Sequence, residues 1–483
     1  MRSALYNVNL INKKWVNINE KGIDMMNPVY HKELLLKDRT YVWHPFTQMK
    51  EYEDRHHLLI ERAQGLYLYD ADGRQYYDTV SSWWCNLHGH GHPRIKAAIA
   101  RQLDAFDHIM FSGLTHAPGI ELAERLVQIT PTGLNKVFYS DNGSTAVEVA
   151  LKMSFQYWQQ LGKPQKTKFV YLEGSYHGDT LGAVSVGGVA LYHELFKPLL
   201  FHAHCVPAPD LRQVDRTASR SAHEIAEIAL AHLRELFAKE SDTIAAIIVE
   251  PMLMGAGGMI MTPAAYMQGL RELCTAFNVH LIADEVATGF GRTGKMFACE
   301  HASVSPDLMC LSKGLTAGVM PLAATLSTDE IYAAFYDDYA AQKTFFHGHS
   351  FTGNPVACAV ALESLRLFEE EHVLEQAQDT IAALAAALGD SGLAKLPHVA
   401  DVRQLGLVAA FDLYEDAERR LPFRPEQRIG AAAYAAGFEE GLILRPLGDT
   451  LYFWLPLCTT ADDVRDIVTR TIRVLRRVLR LSE

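Results

Sequence analysis

The sequence has no surplus of basic residues, no apolar run long enough for a membrane span and no cysteines spaced to hold a metal. Lys and Arg number 45 against 57 Asp and Glu, a formal net charge of -12. A nucleic-acid binder usually carries a basic stripe, so this balance argues against one and favours a soluble metabolic protein. No stretch approaches the ~20 apolar residues of a transmembrane helix, so no contact with a membrane is expected. The seven cysteines, at 85, 205, 274, 299, 310, 358 and 458, are odd in number, scattered and without a C-x-x-C. Neither a disulfide framework nor a zinc site is expected; most read as small buried hydrophobes in a reducing cytoplasm. Residues 1–20 are dotted with Asn7, Asn9, Asn12, Asn17 and Asn19 and lack the apolar block of a signal peptide. Residues 1–38 are expected to be an extension outside the fold, with Met25 or Met26 a candidate start.

What is present is apolar content spread along the whole chain, 49% of 483 residues. That supports a large core, more than one domain and no disorder. Gly65 to Tyr69 and Gln75 to Asp78, around the turn Asp72-Gly73, predict a hairpin. From about residue 95 helix and strand patterns alternate. Helices are expected over Pro93–Phe106, Gly119–Ile129, Thr145–Leu161 and Pro263–Phe277. Strands are expected over Lys136–Tyr139, Lys168–Leu172, Ile244–Val249 and up to Asp284. This rhythm predicts an α/β fold with a mainly parallel sheet covered by helices on both faces. Beyond Phe351 a helical region to about Leu388 is followed by strands near Val402-Arg403, Leu407–Phe411, Leu442–Leu444 and Leu451–Trp454, then a helix from Ala461. That is the pattern of a smaller α+β domain. The expected division is an extension over 1–38, a segment over 39–94 joining the small domain and the active site, a large domain over 95–350 and a small one over 351–483.

The chemistry concentrates at strand ends. The apolar run Leu308 to Leu311 delivers Ser312-Lys313-Gly314, and His280 to Ala283 delivers Asp284-Glu285. A Lys and an Asp so placed are what pyridoxal phosphate requires: an amine to form an imine with its aldehyde, and a carboxylate to pair with its pyridine nitrogen. Burial would lower the Lys313 pKa, as a nucleophilic amine needs. Glu250 closes another strand, and acids clustered at one sheet edge fit a ligand crevice. Ser140 to Thr145 stands before the long helix, where Gly143 permits close backbone approach and Ser144 offers N–H and hydroxyl to a phosphate; its plain reading is a helix cap. Tyr176, in Gly174 to Asp179, could lie on a cofactor ring or simply be a buried turn residue. Gly289 to Gly294 holds three glycines but opens no helix and lacks a ribose-binding acid, so it is no dinucleotide fingerprint. His347 and His349 lack an acidic or Cys partner at ligand spacing, so no metal is expected.

Together these segments resemble the class III, fold-type I aminotransferases. The longest match runs from Leu281 to Lys313. Trp43 to Met49, Ser81 to Trp84, His88 to His90 and Phe111 to Pro118 narrow the likeness to the branch that aminates 8-amino-7-oxononanoate to 7,8-diaminononanoate in biotin biosynthesis. The resemblance covers about Tyr41 to the C-terminus. It implies a pyridoxal 5'-phosphate-dependent transaminase working as a homodimer, with two active sites at the interface. On that likeness Lys313 carries the cofactor and shuttles the proton, Asp284 binds the pyridine nitrogen and Tyr176 stacks on the ring. Gly143 and Ser144 hold the phosphate, which Ser350 reaches from the other subunit. Phe46, Trp83 and Trp84 line the substrate tunnel, and Arg445 pairs with the distal carboxylate of the keto acid. The mechanism implied is ping-pong, with S-adenosylmethionine or lysine as amino donor. Two departures bear on the donor: members that use S-adenosylmethionine typically have Tyr where Phe46 stands, and Pro-Thr where His349-Ser350 stands. Two other readings stay open, a class III aminotransferase acting on another ω-amino acid and an aminomutase of the same fold.

Overall fold

Six consecutive apolar residues, Ile244 to Val249, cannot alternate between core and water, so the strand they form must be covered on both faces. The computed structural model, which describes residues 28–55, 57–213 and 220–481, buries all six completely. Within the described residues this strand lies in a seven-stranded sheet. Its members are β1 (Leu134–Ser140), β2 (Lys168–Leu172), β3 (His204–Val206), β4 (Ile244–Val249), β5 (His280–Asp284), β6 (Leu308–Leu311) and β7 (Ala323–Thr328). Their order is β1-β7-β6-β5-β4-β2-β3. Only β7 runs against its neighbours; the other six share one direction. The expected α/β class and mainly parallel sheet are therefore found.

The helix Gly143–Gln160 covers one face. Its buried positions Val147, Ala150, Leu151, Ser154 and Trp158 recur at helical spacing. Val147, Ala150, Leu151 and Trp158 join Ala246, Ile248, Ile282 and Cys310 in one core. Side chains alternate along a strand, so Ile247, Leu281 and Ala283 point the other way. They are equally buried, so the second face is covered as well. Each such Ile, Leu or Val contributes about 1.5–3 kcal/mol relative to exposure. One polar side chain is built into the lower edge of the sheet. Lys166 donates to the carbonyls of Ser241, Ile244 and Asn278 at 2.8, 2.8 and 2.7 Å. It thereby ties together the segments that enter β2, β4 and β5, and burial lowers its pKa to about 8.

Contacts divide the chain into two units, one of residues up to 63 with 67–76, the other of the remainder. In the first, the helices Pro28–Tyr41 and Met49–Glu53 precede strands Ile60–Gln64, Tyr67–Asp70 and Gln75–Tyr77, which pair in sequence order. The hairpin at Asp72-Gly73 is as expected: Asp70 Oδ1 accepts from the N–H groups of Asp72 and Arg74, and its Oδ2 accepts from the Tyr76 hydroxyl. Ile60–Gln64 was not anticipated, because only one of its five residues is a β-branched hydrophobe. The candidate start at Met25 or Met26 and most of the expected extension lie outside the described residues; the described end of that extension is helical.

The second unit also holds an antiparallel sheet of Val399–Leu405, Val408–Leu413 and Thr450–Trp454. The helical region after Pro355 is two helices rather than one, Pro355–Glu370 and Val373–Asp390. His372 takes a left-handed conformation (φ 49°) between them, which no apolar pattern announces. Leu442–Leu444 is not a strand: Leu442 makes an isolated bridge to Tyr77. The closing helix Ala461–Val478 is capped by Thr460 and Asp463, and it buries Val464, Ile467, Val468, Thr471, Val474 and Leu475 along one stripe.

Candidate active site

The carboxyl ends of β1, β2, β4, β5 and β6 converge on a cavity of about 650 Å³ lined by Gly143, Ser144, Tyr176, His177, Glu250, Asp284 and Lys313, with Trp84 at one wall. Parallel strands create such a crevice because every strand ends at the same edge. Asp284 pairs in register with Cys310, three residues before Lys313. The acid and the amine are thus delivered by adjacent strands.

Asp284 and Glu285 part company there, since consecutive strand residues face opposite ways. Asp284 Oδ2 lies 2.7 Å from His177 Nδ1, and its Oδ1 accepts from the Val286 N–H at 3.1 Å. A carboxylate accepts only, so His177 donates from Nδ1. Its Nε2 is buried without a partner among the described residues. Glu285 points away from the cavity and accepts from Thr288 Oγ1 and from the N–H groups of Ala298 and Cys299. It ties Thr288 to Ala298 and Cys299, on either side of the Gly289–Gly294 loop, and does not line the cavity.

Lys313 follows Ser312, whose hydroxyl donates to the Leu322 carbonyl at 2.8 Å. Its own backbone is left-handed, φ 45°, a strained setting for a residue with a Cβ. Burial pushes the Lys313 pKa down, partly opposed by the carboxylates of Asp284 and Glu250. Its Nζ sits 4.6 Å from the centre of the Trp84 ring. Glu250 is buried as well. Its two oxygens accept from the N–H groups of Tyr176 (3.0 Å) and Gly255 (2.9 Å), and burial pushes its pKa up to about 7.

The helix at the end of β1 starts at Gly143, two residues earlier than the sequence pattern indicates, because Asn142 and Thr145 form a reciprocal cap. The cap takes up the Thr145 N–H. The N–H groups of Gly143 and Ser144, in the first turn, have no carbonyl one turn behind them, and both residues line the cavity. Gly143 is needed for packing: a Cβ there would lie 2.6 Å from Val286 Cγ1. Gly178 is more tightly held still, with φ 119° and Ser144 Oγ where its Cβ would be. The Ser144 hydroxyl accepts from the Asp179 N–H at 3.2 Å. Tyr176 donates its hydroxyl to Asp179 Oδ2 at 2.8 Å.

The tandem tryptophans lie on a turn with an unusual backbone. Ser81, Ser82, Trp83 and Trp84 all have positive φ, 50°, 45°, 74° and 71°. Left-handed backbone costs L-residues about 1–2 kcal/mol each, so the surroundings must hold this turn. Trp84 stacks on Trp454 at 4.9 Å and donates its indole N–H to the Tyr452 hydroxyl at 3.1 Å. Trp83 is 40% exposed and lies under the Arg445 guanidinium, 4.4 Å from the ring centre. Neither Trp83 nor Arg445 lines the cavity itself; Arg445 stands beside Tyr452, which holds Trp84. Ser350 is exposed and outside its own chain's cavity, where its carbonyl meets His108 Nε2 at 2.7 Å. Phe46 belongs to the first unit and has a left-handed backbone, φ 50°.

Of the residues singled out from sequence, Lys313, Asp284, Tyr176, Gly143, Ser144 and Trp84 thus come together in one cavity. His177 was passed over as a site residue: it adjoins Tyr176 in sequence, but nothing local says that it would meet Asp284 across 107 positions. Glu250 was legible as a strand-end acid, and its contact with the Tyr176 N–H was not. Among the described residues no cluster of His, Cys, Asp or Glu could hold a metal, and no helix is long and apolar enough to cross a membrane.

Known proteins bear on this geometry. The sequence model of the class-III aminotransferases matches residues 48–475. Over 431 residues the chain is 46% identical to the adenosylmethionine-8-amino-7-oxononanoate aminotransferase of Geobacter sulfurreducens, covering 89% of this chain and 94% of that one. The crystal structure of the enzyme of the same name from Methanocaldococcus jannaschii superposes with a TM-score of 0.87 at 40% identity, over 92% of this chain and 99% of the other. An (S)-enantioselective omega-transaminase from Thermomicrobium roseum superposes at 0.89 with 31% identity, over 95% and 100%. With a family match across most of its length and relatives this similar, the chain belongs to the class-III aminotransferases.

Proposed function

We propose that this aminotransferase converts 8-amino-7-oxononanoate to 7,8-diaminononanoate with pyridoxal 5'-phosphate as its cofactor. The observation that carries the reading is the delivery of Lys313 and Asp284 by adjacent parallel strands into one cavity. The substrate assignment rests on relatives at 40–46% identity that bear the name of that activity.

The donor set fits the cofactor. Two unclaimed N–H groups at the start of an 18-residue helix suit a phosphate, by partial charge as well as hydrogen bonding. A carboxylate backed by an imidazole suits a protonated ring nitrogen, and an amine disfavoured as a cation by burial suits imine formation. When bound, pyridoxal phosphate supplies the aldehyde that accepts the amino group and a ring that takes up an electron pair.

The chain supplies the rest. Lys313, whose amine burial shifts towards the neutral form, is the nucleophile, and once free it carries the proton to and from the substrate carbon. Asp284, oriented by His177 and the Val286 N–H, keeps a proton on the pyridine nitrogen. Tyr176 covers one ring face, and Gly143 and Ser144 anchor the phosphate. The exposure of Ser350, outside its own cavity, supports its serving the phosphate of a second subunit in a homodimer. Arg445 receives the distal carboxylate of the keto acid through a planar fork, and Trp83 and Trp84 contribute walls of the tunnel. The cytoplasm is the setting proposed, without membrane or nucleic-acid partners.

Borohydride reduction of the purified protein followed by peptide mapping tests the cofactor role. The tag is expected on Lys313, and a tag elsewhere or none refutes it. Lys313→Ala should abolish turnover while leaving the fold intact. Single-turnover spectra with S-adenosylmethionine and with lysine decide the donor. S-adenosylmethionine is favoured because it is in the names of the relatives, although Phe46 and His349-Ser350 depart from the pattern of members that use it.

A further inference from the structure

The left-handed turn Ser81–Trp84 aims two consecutive indoles at two basic side chains, Trp84 at Lys313 Nζ and Trp83 at the Arg445 guanidinium. Such a turn does not hold itself, and its two tryptophans are secured differently. Trp84 is locked by stacking on Trp454 and by its bond to Tyr452. Trp83, 40% exposed, lies against Arg445 and directly follows Ser82, whose backbone setting helps aim it. Ser81 is tied to the Trp454 carbonyl and to Arg292, while the Ser82 N–H and hydroxyl are both held by one carboxylate. Asp78, 1% exposed, accepts from the Ser82 N–H through Oδ1 at 2.8 Å and from the Ser82 hydroxyl through Oδ2 at 2.7 Å. His90 Nε2 lies 2.8 Å from the same Oδ2 and 3.5 Å from the Ser82 hydroxyl. The backbone of His90 is itself pinned, exchanging bonds of 2.8 and 2.9 Å with Gly65.

Resting on the function proposed above, we propose that Asp78, steadied by His90, is a positioning residue for the amino acceptor. It holds Ser82 left-handed, which sets Trp83 against Arg445 and so fixes the carboxylate-binding end of the site. Lys313 is held by a separate turn, anchored through Ser312 to Leu322. Trp84, the part of the turn that meets Lys313, is locked by Trp454 and Tyr452, so the chemistry at the amine should respond little to Asp78. The dependence runs through Trp83, and it should appear in acceptor binding rather than in turnover.

A double-mutant cycle on the holoenzyme tests this, with 8-amino-7-oxononanoate varied at saturating donor. Asp78→Asn keeps the shape of the side chain but offers an amide N–H₂ where Oδ2 accepted. The acceptor KM is expected to rise about tenfold or more, with kcat within about threefold of the parent. In a Trp83→Leu background the same substitution should change KM by less than about twofold. A loss of thermal stability alone would be equal in both backgrounds. An unchanged acceptor KM, or the same factor in both backgrounds, overturns the proposal. Ser82→Ala, which deletes only the hydroxyl bond, repeats the cycle if Asp78→Asn does not fold, and the same criteria apply to it. If the parent enzyme does not aminate 8-amino-7-oxononanoate, the substrate reading fails first, and the cycle is then run with the carboxylate-bearing acceptor that it does use.

Discussion

Replacing Glu250 by Gln isolates one buried proton. The side chain lies at the cavity floor with both oxygens accepting backbone N–H groups, from Tyr176 and Gly255, and burial pushes its pKa from 4.5 to about 7. The folded protein therefore holds a proton there that the unfolded chain has already released. The folded pKa is raised, so stability is highest below the unfolded value and declines as pH rises through the folded one. The difference of about 2.5 units, at 1.36 kcal/mol per unit, amounts to about 3 kcal/mol lost between pH ~4.5 and just above pH ~7. Gln does not titrate, so Glu250→Gln abolishes this slope. It should also carry a pH-independent penalty of about 1–3 kcal/mol, because its N–H₂ must face one of the two backbone donors. The assay is urea unfolding of parent and variant across that range at constant ionic strength, read as the difference between the two. The contributions of all other groups cancel in that difference. At acid pH the parent should be the more stable, and by pH ~8 the gap should have closed or reversed by about 3 kcal/mol. A constant gap, or one that widens in the parent's favour as pH rises, refutes the assignment of a buried protonated carboxyl to this site.

Lys166→Met should destabilise the protein by about 3 kcal/mol, because three carbonyls at the entry to β2, β4 and β5 lose their donor; an unchanged urea midpoint counts against that clamp. Arg445→Ala should weaken acceptor binding by about 2–5 kcal/mol if it faces the carboxylate, and an unaltered acceptor KM removes it from that role. His88 and His280 are both buried, and burial drops the pKa of each to about 3. Their unfolded forms take up protons below about pH 6.5, so each should cost about 2 kcal/mol of stability between pH ~6.5 and ~5. His280→Asn should flatten the acid limb of the stability profile by that amount, and an identical limb in the variant would falsify the burial argument.

The parallel sheet was legible because strands buried on both faces need continuous apolar runs, and Ile244 to Val249 and Leu308 to Leu311 are such runs. Lys313 and Asp284 were legible because each ends one. Harder to see were features that arise where distant segments meet. His177 is an ordinary turn residue until folding carries it to Asp284. Asp284-Glu285 reads as a pair of acids, although the alternation of strand faces gives one to the cavity and the other to the loop beneath. The left-handed run through Ser81 to Trp84 contains no glycine, and local preference speaks against it; partners such as Asp78, Arg292, Trp454 and Tyr452, most of them from distant parts of the chain, hold that backbone. What the sequence alone determined was therefore which residues are buried, which strands exist and which chemical groups stand at their ends, since those follow from local periodicity and side-chain type. Tertiary structure decided their partners, their proton affinities and the direction in which two tryptophans point, because each of these is set by a long-range contact and by the loss of water around it.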